Sequence, residues 1–307
     1  MEIQENILLK NYTTFRIGAA ARYFIVVRNK SDLTKAIRWA KEKRLPFFIL
    51  GGGSNLLVAD KGFKGLVIKI QNTKYKILNT KIITGAGIPL AALVALSAKN
   101  SLTGLEWASG IPGTAGGAIF GNAGAFGESI ADSVSKVEAL DVKSLKFKIY
   151  DLRHCGFGYR QAIFKKNRNL IIFSIELRLK KDGRERITAK IKEYLDYRKE
   201  RHPKEPSAGS VFKNINFSEL SEKKFPEISQ FKERGDIPAA YLVDKCGLKG
   251  KIIGGAKISE QHPNFILNFN NAKAKDVEKL IKLAKKKVKK KFGAKLKEEI
   301  EYLYSKR

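Results

Sequence analysis

The chain has 307 residues, a length that predicts two domains or three small ones. Hydrophobic residues make up 43% and charged residues 29%, which indicates a folded globular protein and excludes a mainly disordered one. Lysine and arginine number 60 against 30 aspartate and glutamate residues, a net charge of +30. That excess predicts anionic partners such as nucleotides, phosphates, nucleic acid or acidic membranes, without choosing among them.

The cysteines and histidines are too few and too scattered for a disulfide framework or a metal centre. Cys155 and Cys246 lie far apart, outside any CxxC spacing, and the histidines are His154, His202 and His262, with no HExxH motif. The first ten residues lack the pattern of a signal peptide, and no apolar run approaches the ~18 residues of a membrane span. We therefore expect a cytoplasmic protein without a metal and without membrane insertion.

The first domain, residues 1–72, is predicted from alternating strand and helix patterns. A strand at 23–27 precedes a helix that Ser31 caps and that continues at helical spacing to about residue 44. Further strands are predicted at 47–50, 56–58 and 66–70, with the sequence GGGSN after the first of them. Together these elements form a βαβ unit.

The second domain, residues 73–187, begins with a strand at 82–87 and an apolar helix that opens at Pro89. The segment 104–127 then holds eight glycines, where average usage would give about two. Because each helical glycine costs ~1 kcal/mol relative to alanine, we expect loop and turn throughout this segment, with backbone that approaches another group closely. Strands of a mixed sheet follow at 134–142, 146–150 and 170–180.

The third domain, residues 188–307, is a further α/β unit that ends in a basic helix and a short strand. Predicted helices cover 184–200, 238–247 and a long stretch from about 271, and predicted strands cover 251–259, 265–269 and 298–304. Residues 273–297 include twelve lysines, and the apolar stripe at helical spacing is Val277, Leu280, Ile281, Ala284 and Val288. This pattern favours a solvated helix face packed on a core over nucleic-acid binding, since no aromatic residues are interleaved with the lysines.

Two glycine-rich segments can bind phosphate through backbone N–H groups. The first consists of Gly51, Gly52, Gly53, Ser54 and Asn55, and it directly follows a strand. A plain tight turn explains that segment equally well when it is taken alone. The second offers exposed amides with few bulky side chains. Its candidate cofactor-binding residues are Gly110, Pro112, Gly113, Thr114, Gly117, Asn122 and Ala123. Two such loops could hold one dinucleotide.

Six strings, in order along nearly the whole chain, carry a family resemblance: TTFRIG, LGGGSNLLV, IPGTAGGAIFGNAGAFG, FGYR, PSAGSVFKN and GLKG. The chain resembles UDP-N-acetylenolpyruvoylglucosamine reductase, the MurB family. The resemblance implies an α+β fold, with an FAD-binding fold of the p-cresol methylhydroxylase and vanillyl-alcohol oxidase type formed by residues 1–72 and 73–187. FAD would lie between these two subdomains, and the α/β domain 188–307 would close over a UDP-sugar substrate.

The reaction that the resemblance implies has two stages. NADPH reduces FAD and leaves, and the reduced flavin then passes a hydride to the vinyl carbon of an enolpyruvyl ether, which yields UDP-N-acetylmuramate for peptidoglycan synthesis. Negative charge develops at the adjacent carbon and its carboxylate, so the site needs cations and a proton donor. We expect a monomer with no nucleic-acid partner.

The resemblance also implies roles for single residues. Ser210 matches the serine that protonates the carbon next to the carboxylate, Arg160 matches the arginine facing that carboxylate, and Glu299 matches a late catalytic glutamate. In a strand, Glu301 would share the face of Glu299 and remains an alternative, while Glu298 would point the other way. The resemblance further places substrate-binding groups at Asn214 and Lys249.

The sequence departs from the family pattern at Ala162, Gly121, Phe126 and the pair Lys297 and Glu298, which stand where serine, a larger residue, tyrosine and Glu-Pro are usual. None of these changes removes a catalytic group, and they leave flavin affinity and the backbone near Glu299 open. The long tyrosine-bearing insertion of one subtype is missing, so the chain matches the shorter subtype.

Two alternatives remain open from the sequence. Another flavin enzyme of the same fold, such as an oxidase of small alcohols or phenols, would share both glycine-rich segments but would not need Ser210, Arg160 and Glu299 together. A nucleic-acid-binding protein would use the basic carboxy-terminal helix, bind any polyanion with steep salt dependence and hold no flavin.

Overall fold

A computed structural model describes residues 2–304. The outermost residues of the predicted first and third domains, 1 and 305–307, lie outside the described residues. Two compact units are found: one takes in the described residues up to Ile7 with Ala21–Gly53 and Lys64–Glu200, and the other takes in Leu8–Ala20, Ser54–Phe63 and the described residues from Arg201. The proposed boundaries at residues 72 and 187 stay a prediction.

The described residues form strands and α-helices in the following order. The strands are β1 (Gln4–Leu8), β2 (Ala20–Val27), β3 (Phe47–Leu50), β4 (Leu56–Val58), β5 (Phe63–Ile70), β6 (Tyr75–Leu78), β7 (Lys81–Gly85), β8 (Leu102–Thr103), β9 (Gly124–Ala125), β10 (Glu128–Ser129), β11 (Val134–Asp141), β12 (Lys146–Asp151), β13 (Leu170–Arg178), β14 (Lys180–Lys181), β15 (Ser207–Ser210), β16 (Ile215–Asn216), β17 (Asp236–Ile237), β18 (Ile252–Ile253), β19 (Ala256–Ile258), β20 (Phe265–Asn268) and β21 (Glu301–Leu303). The helices are α1 (Lys30–Glu42), α2 (Leu90–Lys99), α3 (Ala115–Gly121), α4 (Ile163–Lys166), α5 (Arg184–Arg201), α6 (Ala239–Lys245) and α7 (Ala274–Phe292).

The first unit contains two larger sheets, beside the short strand pairs β9–β10 and β8–β14. One of the larger sheets has the strand order β1-β2-β5-β3, in which β3 runs parallel to β5. The strand, helix and strand predicted in succession are present as β2, α1 and β3. The other larger sheet has the order β12-β11-β13-β7-β6, and all of its pairs are antiparallel. The predicted strands are confirmed, but the prediction of a mixed sheet is wrong, because each of these pairs joins strands that run in opposite directions. A continuous apolar core joins both sheets to α1, α2 and α3.

The predicted cap of the first helix is wrong. Helix α1 begins at Lys30, and Asn29 is its N-cap, with a side chain that accepts a hydrogen bond from the backbone N–H of Asp32 at 2.9 Å. Ser31 lies inside the helix instead. Asparagine at position 29 has extended backbone, so its side-chain oxygen reaches the first turn.

The glycine-rich segment contains a helix, which corrects the prediction that loop and turn extend throughout 104–127. Helix α3 begins after Thr114, whose side chain accepts a hydrogen bond from Gly117 N at 3.3 Å. It ends at Gly121, and its C-cap, Asn122, is left-handed with φ +45°. A Cβ on Gly116 would lie 2.8 Å from the Cβ of Ala86. Close packing on the strand side therefore requires glycine inside this helix, and its benefit outweighs the low helix propensity.

The second unit has its own sheet and core. Its four-stranded sheet has the order β15-β20-β19-β18, and β21 pairs in parallel with β4. Helix α7 buries its apolar stripe in this core, while the lysines at 275, 279, 282, 286, 289 and 290 are exposed. The prediction of a solvated helix face packed on a core is confirmed. Within residues 2–304, no helix combines the length and the apolar character needed to span a membrane.

Candidate active site

The first glycine-rich segment begins where β3 ends and lies against the second. A Cβ on Gly51 would lie 2.8 Å from Thr114 Oγ1, and a Cβ on Gly52 would lie 2.6 Å from Gly113 Cα. Gly53 has φ +65°, a conformation that side chains rarely adopt. The contact between the two segments therefore excludes any larger residue at Gly52.

The backbone amides of this segment are available to an anion. Between residues 2 and 304, no acceptor is found for the N–H of Gly52 or of Gly53. Lys69 on β5 donates to the carbonyl of Gly51, and burial lowers the pKa of Lys69. A loop with unused N–H groups beside a half-buried lysine suits a pyrophosphate.

The second segment is shaped by backbone hydrogen bonds. Gly113 accepts a hydrogen bond from Leu90 N at 3.0 Å, and Gly110 and Gly113 both have positive φ, on either side of Pro112. At the far end of α3, Ala123 N donates to Ala118 O at 2.8 Å. The backbone is thus held in place by its own hydrogen bonds, with a helix N-terminus at Thr114.

Arg160 contacts the end of this second segment. Its guanidinium donates to the carbonyl oxygens of Gly124 at 2.9 Å and Asn122 at 3.4 Å, and the Asn122 side chain donates back to Gly158 O at 2.9 Å. Arg160 itself has φ +53° in a tight turn. The structure therefore joins the predicted catalytic arginine to a predicted flavin-binding residue, Asn122.

In the second unit, Ser210 ends β15 opposite Phe265 of β20. The backbone that follows it is clamped by Asn264: Val211 N donates to Asn264 O at 2.8 Å, Phe212 N donates to the Asn264 side chain at 2.9 Å, and that side chain donates to Phe212 O at 2.8 Å. Asn264 is 4% exposed, so these bonds are protected from water. These bonds fix the backbone on the C-terminal side of Ser210 and thereby its position.

Glu299 is held by its backbone next to Ser210. Its N–H donates to Val211 O at 2.8 Å, and its carbonyl accepts from the side chain of Asn55 at 3.1 Å. Asn55 O in turn accepts from Glu301 N at 2.9 Å. The structure thus brings together Ser210, Glu299 and Asn55, whereas β21 begins only at Glu301, later than the strand predicted over 298–304.

Asn214 and Lys249 lie near the two ends of α6. Asn214 donates to the Asp236 carboxylate at 2.9 Å and accepts from Ala239 N, at the start of the helix, at 3.3 Å. Lys249 follows the end of the helix and forms an ion pair with Asp244 at 2.8 Å. Their roles in substrate binding stay predictions.

Comparison with known proteins gives the family. Residues 21–144 match an FAD binding domain, and residues 201–303 match the C-terminal domain of UDP-N-acetylenolpyruvoylglucosamine reductase. The UDP-N-acetylenolpyruvoylglucosamine reductase of Caldanaerobacter subterraneus subsp. tengcongensis is 39% identical over 95% of this chain and 90% of its own length. The chain belongs to the UDP-N-acetylenolpyruvoylglucosamine reductase family.

Members of this family are similar to the chain along most of their length. The relative from Alkaliphilus oremlandii is 38% identical over 95% of this chain and 90% of its own. The crystal structure of UDP-N-acetylenolpyruvylglucosamine reductase (MurB) from Thermus caldophilus superimposes with a TM-score of 0.79 at 33% identity, covering 99% of this chain and 100% of that one. The predicted fold class is confirmed, and the chain is an FAD-dependent oxidoreductase.

Two groups of contacts in this chain were not predicted from the sequence. The first is the Asn264 clamp beside Ser210. The second is on α5, where Tyr194 stacks on Phe126 with ring centroids 3.9 Å apart and Arg198 donates to Ser109 O at 2.8 Å. The spacing of Tyr194, Tyr197 and Arg198 on one helix face was the available signal for the second group.

Proposed function

We propose that this chain reduces the enolpyruvyl ether of UDP-N-acetylglucosamine to UDP-N-acetylmuramate, with FAD as the cofactor and NADPH as the electron donor. The observation that carries the proposal is the hydrogen bond from Glu299 N to Val211 O, the residue after Ser210. It holds a hydroxyl and a carboxyl group on neighbouring backbone, as a reaction that protonates carbon requires. An oxidase of small alcohols has no need for this pair.

The glycine-rich contact in the first unit fits the diphosphate of FAD. Gly51, Gly52 and Gly53 offer N–H groups, and the N-terminus of α3 at Thr114 adds partial positive charge. When bound and reduced by NADPH, FAD would supply the hydride for the vinyl carbon. Gly110, Pro112, Gly117 and Ala123 complete the backbone that would hold this cofactor.

Each catalytic residue then has a task set by its chemistry. Ser210 donates a proton to the carbon beside the substrate carboxylate, and because a hydroxyl is a weak acid it requires polarising neighbours. Arg160 supplies a fixed positive charge for that carboxylate as its charge grows. Glu299 supplies a carboxyl group, while Asn214 and Lys249 bind the polar and diphosphate groups of the UDP-sugar.

The proposal includes a cytoplasmic monomer that acts in the synthesis of the peptidoglycan precursor, and hence in cell-wall growth and division. Both cysteines of the chain are free thiols, which suits a reducing compartment.

An anaerobic absorbance titration tests cofactor and substrate together. We expect a yellow protein whose flavin is bleached by NADPH and regains its absorbance only when UDP-N-acetylglucosamine enolpyruvate is added. Recovery with oxygen, but not with the enolpyruvyl sugar, would favour the oxidase alternative. A protein that binds no flavin after reconstitution with FAD would contradict the proposal.

A further inference from the structure

The carboxylate of Glu298 is held by two donors. Lys285 of α7 donates to one of its oxygens and Tyr302 of β21 donates to the other. The Glu298 side chain is only 23% exposed, so these bonds face limited competition from water. Burial and the hydrogen bond to Glu298 both raise the pKa of Tyr302, which keeps the phenol a donor throughout the physiological range.

Backbone bonds surround Glu298 without using its own N–H. Glu298 forms an antiparallel bridge with Phe212, in which Glu299 N donates to Val211 O at 2.8 Å and Lys213 N donates to Lys297 O at 2.9 Å. In extended backbone, consecutive side chains point to opposite sides. A Glu298 side chain fixed toward Lys285 and Tyr302 therefore sends the side chain of Glu299 the other way.

The backbone before Glu299 needs a side-chain anchor such as that of Glu298. Glu299 precedes β21, and the backbone on its amino-terminal side takes part in an isolated bridge between Phe212 and Glu298 rather than in a continuous strand. A proline before Glu299 would lock one backbone dihedral, but the chain has glutamate there. Unless side chains hold it, residue 298 is free to sample other backbone angles.

We propose that Glu298 is a positioning residue for Glu299: its two-donor anchor to Lys285 and Tyr302 replaces the rigidity of a proline and orients the Glu299 carboxyl group. The inference rests on the proposed function, because it assigns Glu299 a task in reoxidation of the flavin by the enolpyruvyl sugar.

Two substitutions at the same position test it by anaerobic stopped-flow measurement of the two half-reactions. Glu298→Ala removes the anchor, and since misplacement by 1 Å can cost about a hundredfold in rate, we expect reoxidation to slow by about tenfold to a hundredfold. Reduction by NADPH should stay within about twofold. Glu298→Pro also lacks the carboxylate but restores backbone rigidity, and the bridge does not need its N–H, so it should recover most of the lost rate.

A matched control is Glu278→Ala. Glu278 lies on α7, as Lys285 does, and it accepts a hydrogen bond at 2.9 Å from Tyr304, which follows β21. Unlike Glu298, Glu278 is not next to Glu299 in the chain. Both half-reactions of this control should be unchanged. Should Glu298→Ala not fold, Tyr302→Phe, which removes one donor, is expected to slow reoxidation selectively.

Failure of the positioning role and failure of the proposed function give different results. If the unsubstituted protein is not reoxidised by the enolpyruvyl sugar, the proposed function fails, and the inference fails with it. If it is reoxidised and Glu298→Ala, or Tyr302→Phe in its place, reacts as fast, the positioning role alone is wrong. Equal slowing in the alanine and proline variants would also overturn it. The Glu298 carboxylate would then be needed for something other than holding the backbone before Glu299.

Discussion

At the scale of single residues, a substitution of Ser210 tests the proposed chemistry most directly. Ser210→Ala should leave reduction of the flavin by NADPH within about twofold, because no proton transfer from Ser210 takes part in that step. Reoxidation by the enolpyruvyl sugar should slow by about 10²- to 10⁴-fold, the usual contribution of a positioned proton donor. Anaerobic stopped-flow absorbance separates the two steps.

Ser207→Ala is the matched control for that substitution. Ser207 begins the same strand, and its hydroxyl accepts only a long hydrogen bond from Gly209 N at 3.4 Å. Its two half-reactions should match those of the unsubstituted protein. If Ser210→Ala slowed both half-reactions equally, the role of Ser210 as proton donor would be wrong.

Single residues were also where sequence reasoning was least complete. The motif around Ser210 could be recognised from local sequence, whereas Asn264 lies 54 positions later and acts through a contact that only the pairing of β15 with β20 creates. Similarly, Asn29 and Ser31 are both good N-caps, and backbone geometry decides between them. Long-range pairing and exact helix starts are not encoded in short motifs.

At the scale of elements, the two glycine-rich segments can be tested through the one place where they touch. Gly52→Ala would put a methyl group 2.6 Å from Gly113 Cα, so the segments must separate. Overpacking costs about 1–3 kcal/mol, and we expect FAD to bind about tenfold more weakly or worse. Fluorescence titration of the flavin-free protein with FAD measures this change.

Gly121→Ala provides the opposite expectation within the same region. Gly121 is the last residue of α3, and a Cβ there would meet nothing within 4 Å. Replacing a helical glycine should raise the free energy of unfolding by ~0.5–1 kcal/mol. Denaturant unfolding of both flavin-free variants would contradict this account if Gly121→Ala were destabilised as much as Gly52→Ala.

Most elements could be predicted because periodicity and β-branched runs were strong, as in β3, β13 and α7. Helix α3 could not, because the prediction counted only the intrinsic cost of its glycines. That cost is local, while the close approach of Gly116 to Ala86 is a tertiary contact that rewards the absence of a side chain. Composition predicted a close backbone approach correctly but misjudged the local conformation.

At the scale of the whole molecule, ordered motifs were enough to predict the family and the fold class, while the net charge stayed unexplained. Even if every acidic residue were paired, 30 cationic groups would have no acidic partner. Such an excess has two separate physical effects: it destabilises the folded chain by self-repulsion, and it attracts anionic ligands. Salt screens both effects, so added salt should raise the stability of the folded chain and slow the association with anionic ligands.

Raising the ionic strength from about 10 mM to about 150 mM shortens the Debye length from about 30 Å to about 8 Å. Weaker self-repulsion should raise the midpoint of thermal unfolding by about 2 °C or more. Over the same range, kcat/KM for NADPH should fall by about threefold to tenfold while kcat stays constant, since only the encounter of two opposite charges is screened. An unfolding midpoint that rises while kcat/KM stays constant would mean that the charge does not steer NADPH to its site and acts on the folded state alone.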